Sequence, residues 1–178
     1  MKIALRMLLA LSVAFAVAAC KSTPEPEDTT ATDTTTDTQP TEPVVTEAAP
    51  DPRDYTDARN FENSESLLSK RVIYFDFDKS EIKSEYRPIV AAHAAYISAH
   101  KSARVTLEGH ADERGTREYN LGLGERRGNA VSGLLSAGGA MGSQLDVVSY
   151  GEERPVCRVS DESCWQQNRR VEIVYTAR

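Results

Sequence analysis

Four short runs of β-branched and aromatic residues stand out in the pattern of apolar and polar positions along the last two-thirds of the chain. Turn residues bound each run, which is typical of β-strands. Two longer segments between the runs carry apolar residues at the spacing of amphipathic helices. The predicted strands are Val72–Phe77, Arg104–Leu107, Leu145–Tyr150 and Arg170–Tyr175.

The first long helix is predicted to begin near Ser84, a residue type favoured as an N-cap. Pro88 then falls in the first turn, where its missing N–H matters least. Apolar residues continue to about His100, where the helix is expected to end. A short additional helix is predicted within Ser64–Lys70.

The second long helix is predicted to begin at Thr116, whose hydroxyl can cap it, and to end at Gly138 and Gly139. The predicted order of elements is therefore β-α-β-α-β-β. This order favours an α/β sandwich in which two long helices cover one face of a mixed sheet. Residues 61–178 are expected to form this domain, which has a usual size for a single core.

The chain begins with the pattern of a lipoprotein signal peptide, expected at residues 1–19. Lys2 and Arg6 form a short basic region, Met7–Val17 is almost entirely apolar, and two alanines precede Cys20. The apolar run is too short for a stable membrane span. Residues 17–20 resemble a lipobox, in which the cysteine becomes the lipidated first residue of the mature protein. An ordinary signal peptide with an incidental cysteine is the alternative.

Residues 20–60 are predicted to form a disordered tether behind the lipidated cysteine. Residues 21–60 contain ten acidic and three basic residues, many Thr and Pro, and few large apolar side chains. Such a segment cannot bury enough apolar surface to offset its ordering entropy. It suits a spacer between a membrane and a domain, or alternatively a passive solvated tail. Lys21 stands where an aspartate would favour the inner membrane, so the outer membrane is expected.

The acidity of the chain lies in this tether, because the predicted domain is nearly neutral. The whole chain carries a formal charge of −6, but residues 61–178 hold 17 acidic and 16 basic residues. The sequence contains no basic stripe of the kind that marks a nucleic-acid surface. Nucleic acid is therefore not expected as a partner.

One stretch, residues 107–131, carries the most chemical information. A strand end runs into a polar loop that holds Asp112, and the loop runs into the helix that holds Arg127. Opposite charges at such a corner suit a small zwitterionic ligand that presents both an ammonium and a carboxylate. The alternative is that the two residues form a structural ion pair with each other.

This stretch resembles the ligand loop of OmpA-like peptidoglycan-binding domains. The family pattern Gly-His-x-Asp-x-x-Gly-Thr-x-x-Tyr-Asn matches Gly109–Asn120, and Leu123 and Arg127 follow on the helix as in the family. The resemblance covers the whole predicted domain and implies the family's fold. Further segments that resemble the family are Tyr74–Ser80, Tyr150–Pro155 and Gln167–Ile173.

The resemblance implies that the domain binds the stem peptide of peptidoglycan, chiefly its meso-diaminopimelate residue. Arg127 would clamp a carboxylate through two parallel N–H bonds, and Asp112 would accept a hydrogen bond from an ammonium. Gly109 and Gly115 would permit close backbone approach. The implied ligand-binding residues are Phe77, Asp78, His110, Asp112, Thr116, Asn120, Leu123 and Arg127.

By the same resemblance the chain is expected to be a non-catalytic outer-membrane lipoprotein whose domain faces the periplasm and grips the cell wall. The expected partners are peptidoglycan, the outer membrane through the lipid anchor, and TolB with other Tol proteins, which act in envelope integrity and cell division. No cofactor is implied. The alternatives are an OmpA-like lipoprotein without a Tol partner and a peptidoglycan hydrolase.

The two remaining cysteines, Cys157 and Cys164, lie between the last two predicted strands. Because thiols of exported proteins oxidise, a disulfide between them is predicted, and two thiols too far apart to bond are the alternative. His110, Asp112 and Glu113 lie close in sequence, but no motif of zinc-ligand spacing supports a metal site, and none is predicted.

The second helix departs from the family's usual pattern at Gly122 and Gly128, where alanine is more common. Each glycine is expected to cost about 1 kcal/mol of helix stability relative to alanine. The expected ligand residues are unaffected by this departure.

Overall fold

The computed structural model describes residues 48–178. The predicted signal peptide, the predicted lipidation site at Cys20 and most of the predicted tether fall on residues 1–47 and lie outside the described residues. Within residues 48–178, no helix combines the length and the apolar character needed to cross a membrane.

The described chain forms a four-stranded sheet and three α-helices. In the sheet, β4 lies between β1 and β2 and is antiparallel to both, whereas β2 runs parallel to β3 at the edge. The predicted mixed sheet is therefore confirmed. In chain order the elements are β1 (Val72–Tyr74), α1 (Arg87–Ala99), β2 (Arg104–His110), α2 (Arg117–Ala137), β3 (Leu145–Gly151), α3 (Glu162–Asn168) and β4 (Arg170–Ala177).

The two long helices pack against the same face of the sheet, as predicted. Apolar side chains from α1 and α2 join inward-facing strand residues in one buried cluster. Burying one such side chain stabilises the fold by about 1.5–3 kcal/mol. Fully or nearly fully buried members of the cluster include Ile73, Val90, Ile97, Leu107, Val131, Leu135 and Ile173.

The ends of α2 are those the sequence predicts. The Thr116 hydroxyl accepts a hydrogen bond from the Tyr119 N–H at 3.2 Å, which caps the first turn. The helix ends at Gly138, and Gly139 follows with a φ of +102°, a conformation that favours glycine.

The start of α1 differs from the prediction. Ser84 opens a 3-10 turn, Ser84–Tyr86, instead of capping the helix, and α1 itself begins at Arg87. The hydrogen bond from the Tyr86 N–H to the Lys83 carbonyl at 3.1 Å closes this tighter turn. Pro88 lies in the first turn of α1, as predicted.

The first strand is shorter than predicted, because it ends at Tyr74 and not at Phe77. The Phe75 N–H still bonds to the Arg169 carbonyl at 2.9 Å. The next carbonyl, that of Asp76, turns away to accept a hydrogen bond from Arg127 on α2. The chain therefore leaves the sheet early and forms a loop beside the N-terminal half of α2.

The helix α3 was not predicted. It has seven residues, too few for a periodic pattern to be recognised. Its N-cap is Asp161, whose carboxylate accepts a hydrogen bond from the Cys164 N–H at 2.9 Å. The order of elements is therefore β-α-β-α-β-α-β.

The packed chain extends to the N-terminal side of residue 61, where the sequence analysis expected the domain to start. A 3-10 turn spans Ala58–Phe61, and the buried Asn60 side chain donates hydrogen bonds to the carbonyls of Asp51 and Asp54 at 2.7 and 2.8 Å. The Phe61 ring lies edge-on to Tyr96, with ring centroids 4.7 Å apart. These contacts add a second small cluster beside the main core.

Candidate functional site

An open pocket of about 190 Å³ lies where the loops after β1 and β2 meet the first half of α2. Its lining combines two acidic side chains, two arginines and an apolar wall. The lining residues are Phe77, Asp78, Asp112, Arg114, Gly115, Tyr119, Asn120, Leu123 and Arg127.

The loop after β2 is held in place by Asn120 from the first turns of α2. The buried Asn120 amide donates to the carbonyls of Asp112 and Arg114 at 3.1 and 3.2 Å. Gly115 has a φ of +116°, a conformation that side chains rarely adopt, and it turns the chain into the helix. The loop is therefore fixed at its backbone, which orients the charged side chains that it carries.

Arg127 is fully buried and bridges the two loops of the pocket. Its Nε donates to the Lys79 carbonyl at 2.8 Å, its Nη1 to the His110 carbonyl at 2.7 Å, and its Nη2 to the Asp76 carbonyl at 3.0 Å. These bonds use three of the five N–H groups of a guanidinium. Burial lowers the pKa of Arg127 to about 10, so the side chain stays charged at neutral pH.

Asp112 is buried and accepts four hydrogen bonds. Its Oδ1 accepts from the Arg114 backbone N–H at 3.1 Å and from Arg114 Nε at 3.3 Å; its Oδ2 accepts from Arg114 Nη2 at 2.6 Å and from Arg169 Nη1 at 3.2 Å. Burial raises the pKa of the Asp112 carboxyl, but the hydrogen bonds from these arginines outweigh burial and hold it below its usual value. Asp112 therefore remains ionised near neutral pH.

The ion pair between Asp112 and Arg127, the alternative raised from the sequence, does not form in the described structure, where Asp112 pairs with Arg114 and Arg169. The four bonds match the four lone-pair sites of a carboxylate. A ligand ammonium at Asp112 would have to replace one of these donors. The carboxylate of Asp78, in contrast, lies exposed on the same pocket.

Arg114 is the accessible guanidinium of the pocket. Its side chain is 30% exposed, and its guanidinium carbon lies 4.0 Å from the Phe77 ring centroid and 4.2 Å from that of Trp165. The flat guanidinium is thus in contact with two aromatic rings while one edge faces Asp112. Sequence reasoning missed Arg114 as a pocket residue, although its place two residues after Asp112 was a usable signal.

Two further residues line the pocket: Gly115, which was expected to permit close backbone approach, and Tyr119, which was not predicted from the sequence. The Tyr119 hydroxyl donates a hydrogen bond to the Asp78 carboxylate, which links α2 to the loop after β1. Asp78 itself has a φ of +57°, an uncommon conformation for a residue other than glycine. The exposed Phe77 side chain, one residue before Asp78, forms part of the pocket wall.

The structure brings six of the eight predicted ligand residues together around the pocket and leaves two outside its lining. The His110 ring is buried near Tyr150, at 5.5 Å between ring centroids, and neither ring nitrogen has a hydrogen-bond partner. Burial lowers its pKa to about 4. His110 supports the pocket through its carbonyl, and Thr116 supports it by capping α2. The six that line the pocket are Phe77, Asp78, Asp112, Asn120, Leu123 and Arg127.

The predicted disulfide between Cys157 and Cys164 is present. It joins the loop after β3 to α3, the helix that carries Trp165 into contact with Arg114. Across residues 48–178, no three His, Cys, Asp or Glu side chains are arranged to hold a metal ion.

Comparison with known proteins identifies the family. The family model described as "OmpA family" matches residues 74–170. The peptidoglycan-associated lipoprotein of Haemophilus influenzae is 48% identical over 103 residues, which are 58% of this chain and 67% of that protein. The protein of the same name from Pseudomonas putida is 52% identical over 108 residues, which are 61% of this chain and 64% of that protein. About a third of each relative lies outside the match.

Solved structures agree with this result. The crystal structure of the peptidoglycan-associated lipoprotein from Burkholderia pseudomallei has a TM-score of 0.64 and 41% identity, and it covers 65% of this chain and 98% of that one. The C-terminal domain of Helicobacter pylori MotB, at a TM-score of 0.55 and 20% identity, shares the fold. Because the family match covers more than half of the chain and every residue that lines the pocket, the chain belongs to the OmpA family.

Proposed function

We propose that this chain is a lipoprotein that binds the peptidoglycan stem peptide in the pocket between α2 and the loops after β1 and β2. The observation that carries the proposal is the presence of accessible groups of opposite charge, Asp78 and Arg114, in one pocket with two buried charged residues, Asp112 and Arg127. The name shared by relatives of about 50% identity, peptidoglycan-associated lipoprotein, supports the same ligand.

The chemistry of the pocket suits the free end of a meso-diaminopimelate side chain, which carries one ammonium and one carboxylate. Arg114 bonds to Asp112 through Nε and Nη2, so a ligand carboxylate would bind at Nη1, in place of the 3.6 Å ion pair with Glu162. Arg127, which also lines the pocket, uses three of its five N–H groups on carbonyls. The exposed Asp78 carboxylate suits the ammonium. Phe77 and Leu123 supply the apolar wall for the methylene groups.

The N-terminus of α2 adds a further reason for the ligand to be anionic. Thr116 accepts a hydrogen bond from the Tyr119 N–H, and the N–H groups that precede it in the first turn have no partner within the helix. Helix N-termini attract carboxylates through such groups and the helix dipole. A further carboxylate of the stem peptide would bind at this end of α2.

At the level of the cell, the proposed role is mechanical. A lipid on Cys20 would hold the chain in the outer membrane, and the domain would bind the wall in the periplasm without cleaving it. The relatives' name supports the lipoprotein part of this proposal. Association with TolB and other Tol proteins, in envelope integrity and cell division, is the accompanying proposal for partners.

Binding measurements with two stem peptides test the ligand. The full chain, purified in detergent, is titrated by calorimetry with a tripeptide ending in meso-diaminopimelate and with the same tripeptide ending in lysine. Lysine differs from diaminopimelate by the single carboxylate that the arginines are proposed to bind. We expect binding of the first peptide and a large loss of affinity for the second.

Intact cell-wall sacculi provide the second measurement. The full chain is expected to sediment with sacculi, and the Asp78→Asn and Asp112→Asn variants are expected to remain largely in solution. Absence of soluble fragments after incubation separates binding from hydrolysis. Equal affinity for the two peptides, or no sedimentation of the wild type, would contradict the proposal.

A further inference from the structure

Trp165 contacts the pocket from outside its lining. It is the only tryptophan of the chain. Its ring centroid lies 4.2 Å from the guanidinium carbon of Arg114, and its indole N–H donates to Glu113 Oε1 at 3.0 Å. Two consecutive residues of the pocket loop are therefore held by one side chain of α3.

The position of Arg114 depends on this contact. Phe77 covers the other part of the guanidinium, at 4.0 Å from its ring centroid, but the Phe77 side chain is itself 54% exposed on a loop. Trp165 is the partner that belongs to a helix and is partly buried. A guanidinium whose face contacts aromatic rings keeps its N–H groups directed along its edges for hydrogen bonds. Here Nε and Nη2 face Asp112, and Nη1 lies 3.6 Å from Glu162 Oε2.

The helix α3 is too short to hold this position alone, since seven residues do not form a stable isolated helix. Cys164, which precedes Trp165, is buried and bonded to Cys157. At the other end of α3, Asn168 Oδ1 accepts from the Val156 and Cys157 N–H groups at 2.9 and 3.1 Å. The disulfide and this amide tie α3 to the loop after β3.

The residue after α3 also reaches the pocket. Arg169 donates from Nη1 to Asp112 Oδ2 at 3.2 Å and from Nε to the Phe75 carbonyl at 3.1 Å. A displacement of α3 would therefore alter both arginine partners of Asp112. The disulfide that fixes α3 lies outside the lining of the pocket.

We propose that Trp165 is a positioning residue that holds Arg114 for the ligand carboxylate, and that the Cys157–Cys164 disulfide makes the affinity for the stem peptide depend on its redox state. The inference rests on the proposed function, because it concerns the affinity of the same pocket. Reduction by a dithiol transfers two electrons and two protons to the protein disulfide. The S–S bond breaks, two thiols form, and the dithiol becomes a disulfide.

The test compares the affinity of the full chain for the diaminopimelate tripeptide with and without dithiothreitol. Loss of the contact between the Arg114 guanidinium and the Trp165 ring should weaken binding of the tripeptide by about three- to thirtyfold. The Cys157→Ser/Cys164→Ser double variant should bind as weakly as the reduced wild type. Dithiothreitol should leave that variant unchanged, which excludes an effect through Cys20.

Variants of Trp165 distinguish the positioning of Arg114 from a general loss of folded structure. Trp165→Ala should weaken binding to a similar degree, and Trp165→Phe, which keeps a ring over Arg114, should restore most of the affinity. In the wild type, the emission of Trp165 should shift when the tripeptide binds, since Arg114 contacts both. Thermal melts check that each variant is folded at the temperature of the titration.

The outcomes separate the two proposals. If the wild type binds but neither reduction nor Trp165→Ala changes its affinity, the inference is overturned and the proposed function stands. If Trp165→Phe binds as weakly as Trp165→Ala while both are folded, stacking on Arg114 is not the cause, and the positioning role is overturned. If the oxidised wild type does not bind the tripeptide, the proposed function itself fails.

Discussion

Gly109 of β2 and Gly124 of α2 face each other where the helix crosses the strand, so close that a Cβ atom on Gly109 would overlap the Gly124 carbonyl oxygen. From the sequence, Gly109 was expected to allow a close approach of backbone in the ligand loop. The close approach is instead between the helix and the sheet. It sets the depth at which α2 lies and hence the place of Asn120 and Arg127.

Gly109→Ala is expected to destabilise the domain, because the helix must move away from the sheet. Overpacking of this kind costs about 1–3 kcal/mol. Gly133→Ala, in α2, is the control. An added Cβ at Gly133 meets no atom within 4 Å, so this change should stabilise the domain by up to about 1 kcal/mol. Urea unfolding followed by circular dichroism measures both. Equal effects of the two changes would contradict this account of the crossing.

Gly128 was expected from the sequence to cost helix stability relative to alanine, but its surroundings show a different role. A Cβ on Gly128 would lie 2.6 Å from Val147 Cγ1 of β3, so the glycine is required by packing. A Cβ on Gly122 would meet only the flexible end of Arg126, at 3.3 Å. Gly122→Ala should therefore gain most of the intrinsic helix preference of about 1 kcal/mol, and Gly128→Ala should lose stability. The same unfolding experiment distinguishes them.

Arg127→Lys is expected to destabilise the domain by about 3 kcal/mol or more, because one ammonium cannot reach three carbonyls on two loops and buried acceptors would lose their partners. Arg126→Lys, at the exposed neighbouring position, is the control and should change stability by less than about 0.5 kcal/mol. Chemical unfolding measures stability, and sedimentation with sacculi measures binding. A fully stable Arg127→Lys variant would show that the three bonds do not hold the loops.

Acid is expected to destabilise the fold through His93. This ring is fully buried, with Nδ1 2.9 Å from the Tyr175 hydroxyl and Nε2 3.0 Å from the Lys70 carbonyl. Burial lowers the pKa of His93 to about 4, below its ordinary value of 6.5. The unfolded chain thus takes up this proton first, and stability present above pH 6.5 is lost as the pH falls towards 4.

The full effect of this one histidine is about 3 kcal/mol. The measurement is the free energy of unfolding between pH 7 and pH 4.5, in the wild type and in His93→Gln, which cannot titrate. The variant should depend less steeply on pH. Buried His110, whose pKa is also lowered to about 4, adds a contribution of the same sign in both proteins. If the free energies of unfolding of the two proteins change in parallel with pH, His93 is not the source of the acid sensitivity.

The segment before residue 61 is expected to contribute to stability. A chain that starts at residue 61 loses the Ala58–Phe61 turn and the contact of Tyr55 with the second cluster, and should be less stable than residues 48–178 by about 1–2 kcal/mol. Thermal unfolding of the two truncated chains measures the difference. Identical midpoints would place the functional start of the domain at Phe61, as the sequence suggested.

The features that depend on local patterns could be read from the sequence. Runs of β-branched and aromatic residues located the four strands, and helical spacing located the two long helices, although the end of β1 and the start of α1 differ by a few residues. The residue type of Thr116 predicted its cap, and the Gly109–Asn120 motif identified the family's fold. Two cysteines in an exported chain were enough to predict their disulfide. Each of these predictions depends on residues close in sequence or, for the disulfide, on two cysteines that have only each other as a partner.

The pairing of the charges in the pocket depends instead on contacts between residues far apart in the chain. The partners of Arg127 are carbonyls 17 to 51 residues away, and Asp112 takes Arg169 from 57 residues along the chain. Trp165 reaches Arg114 from a helix too short to be seen in the sequence pattern. Such contacts follow from the way separate elements pack, because burial forces each charged group to find a partner wherever the fold supplies one.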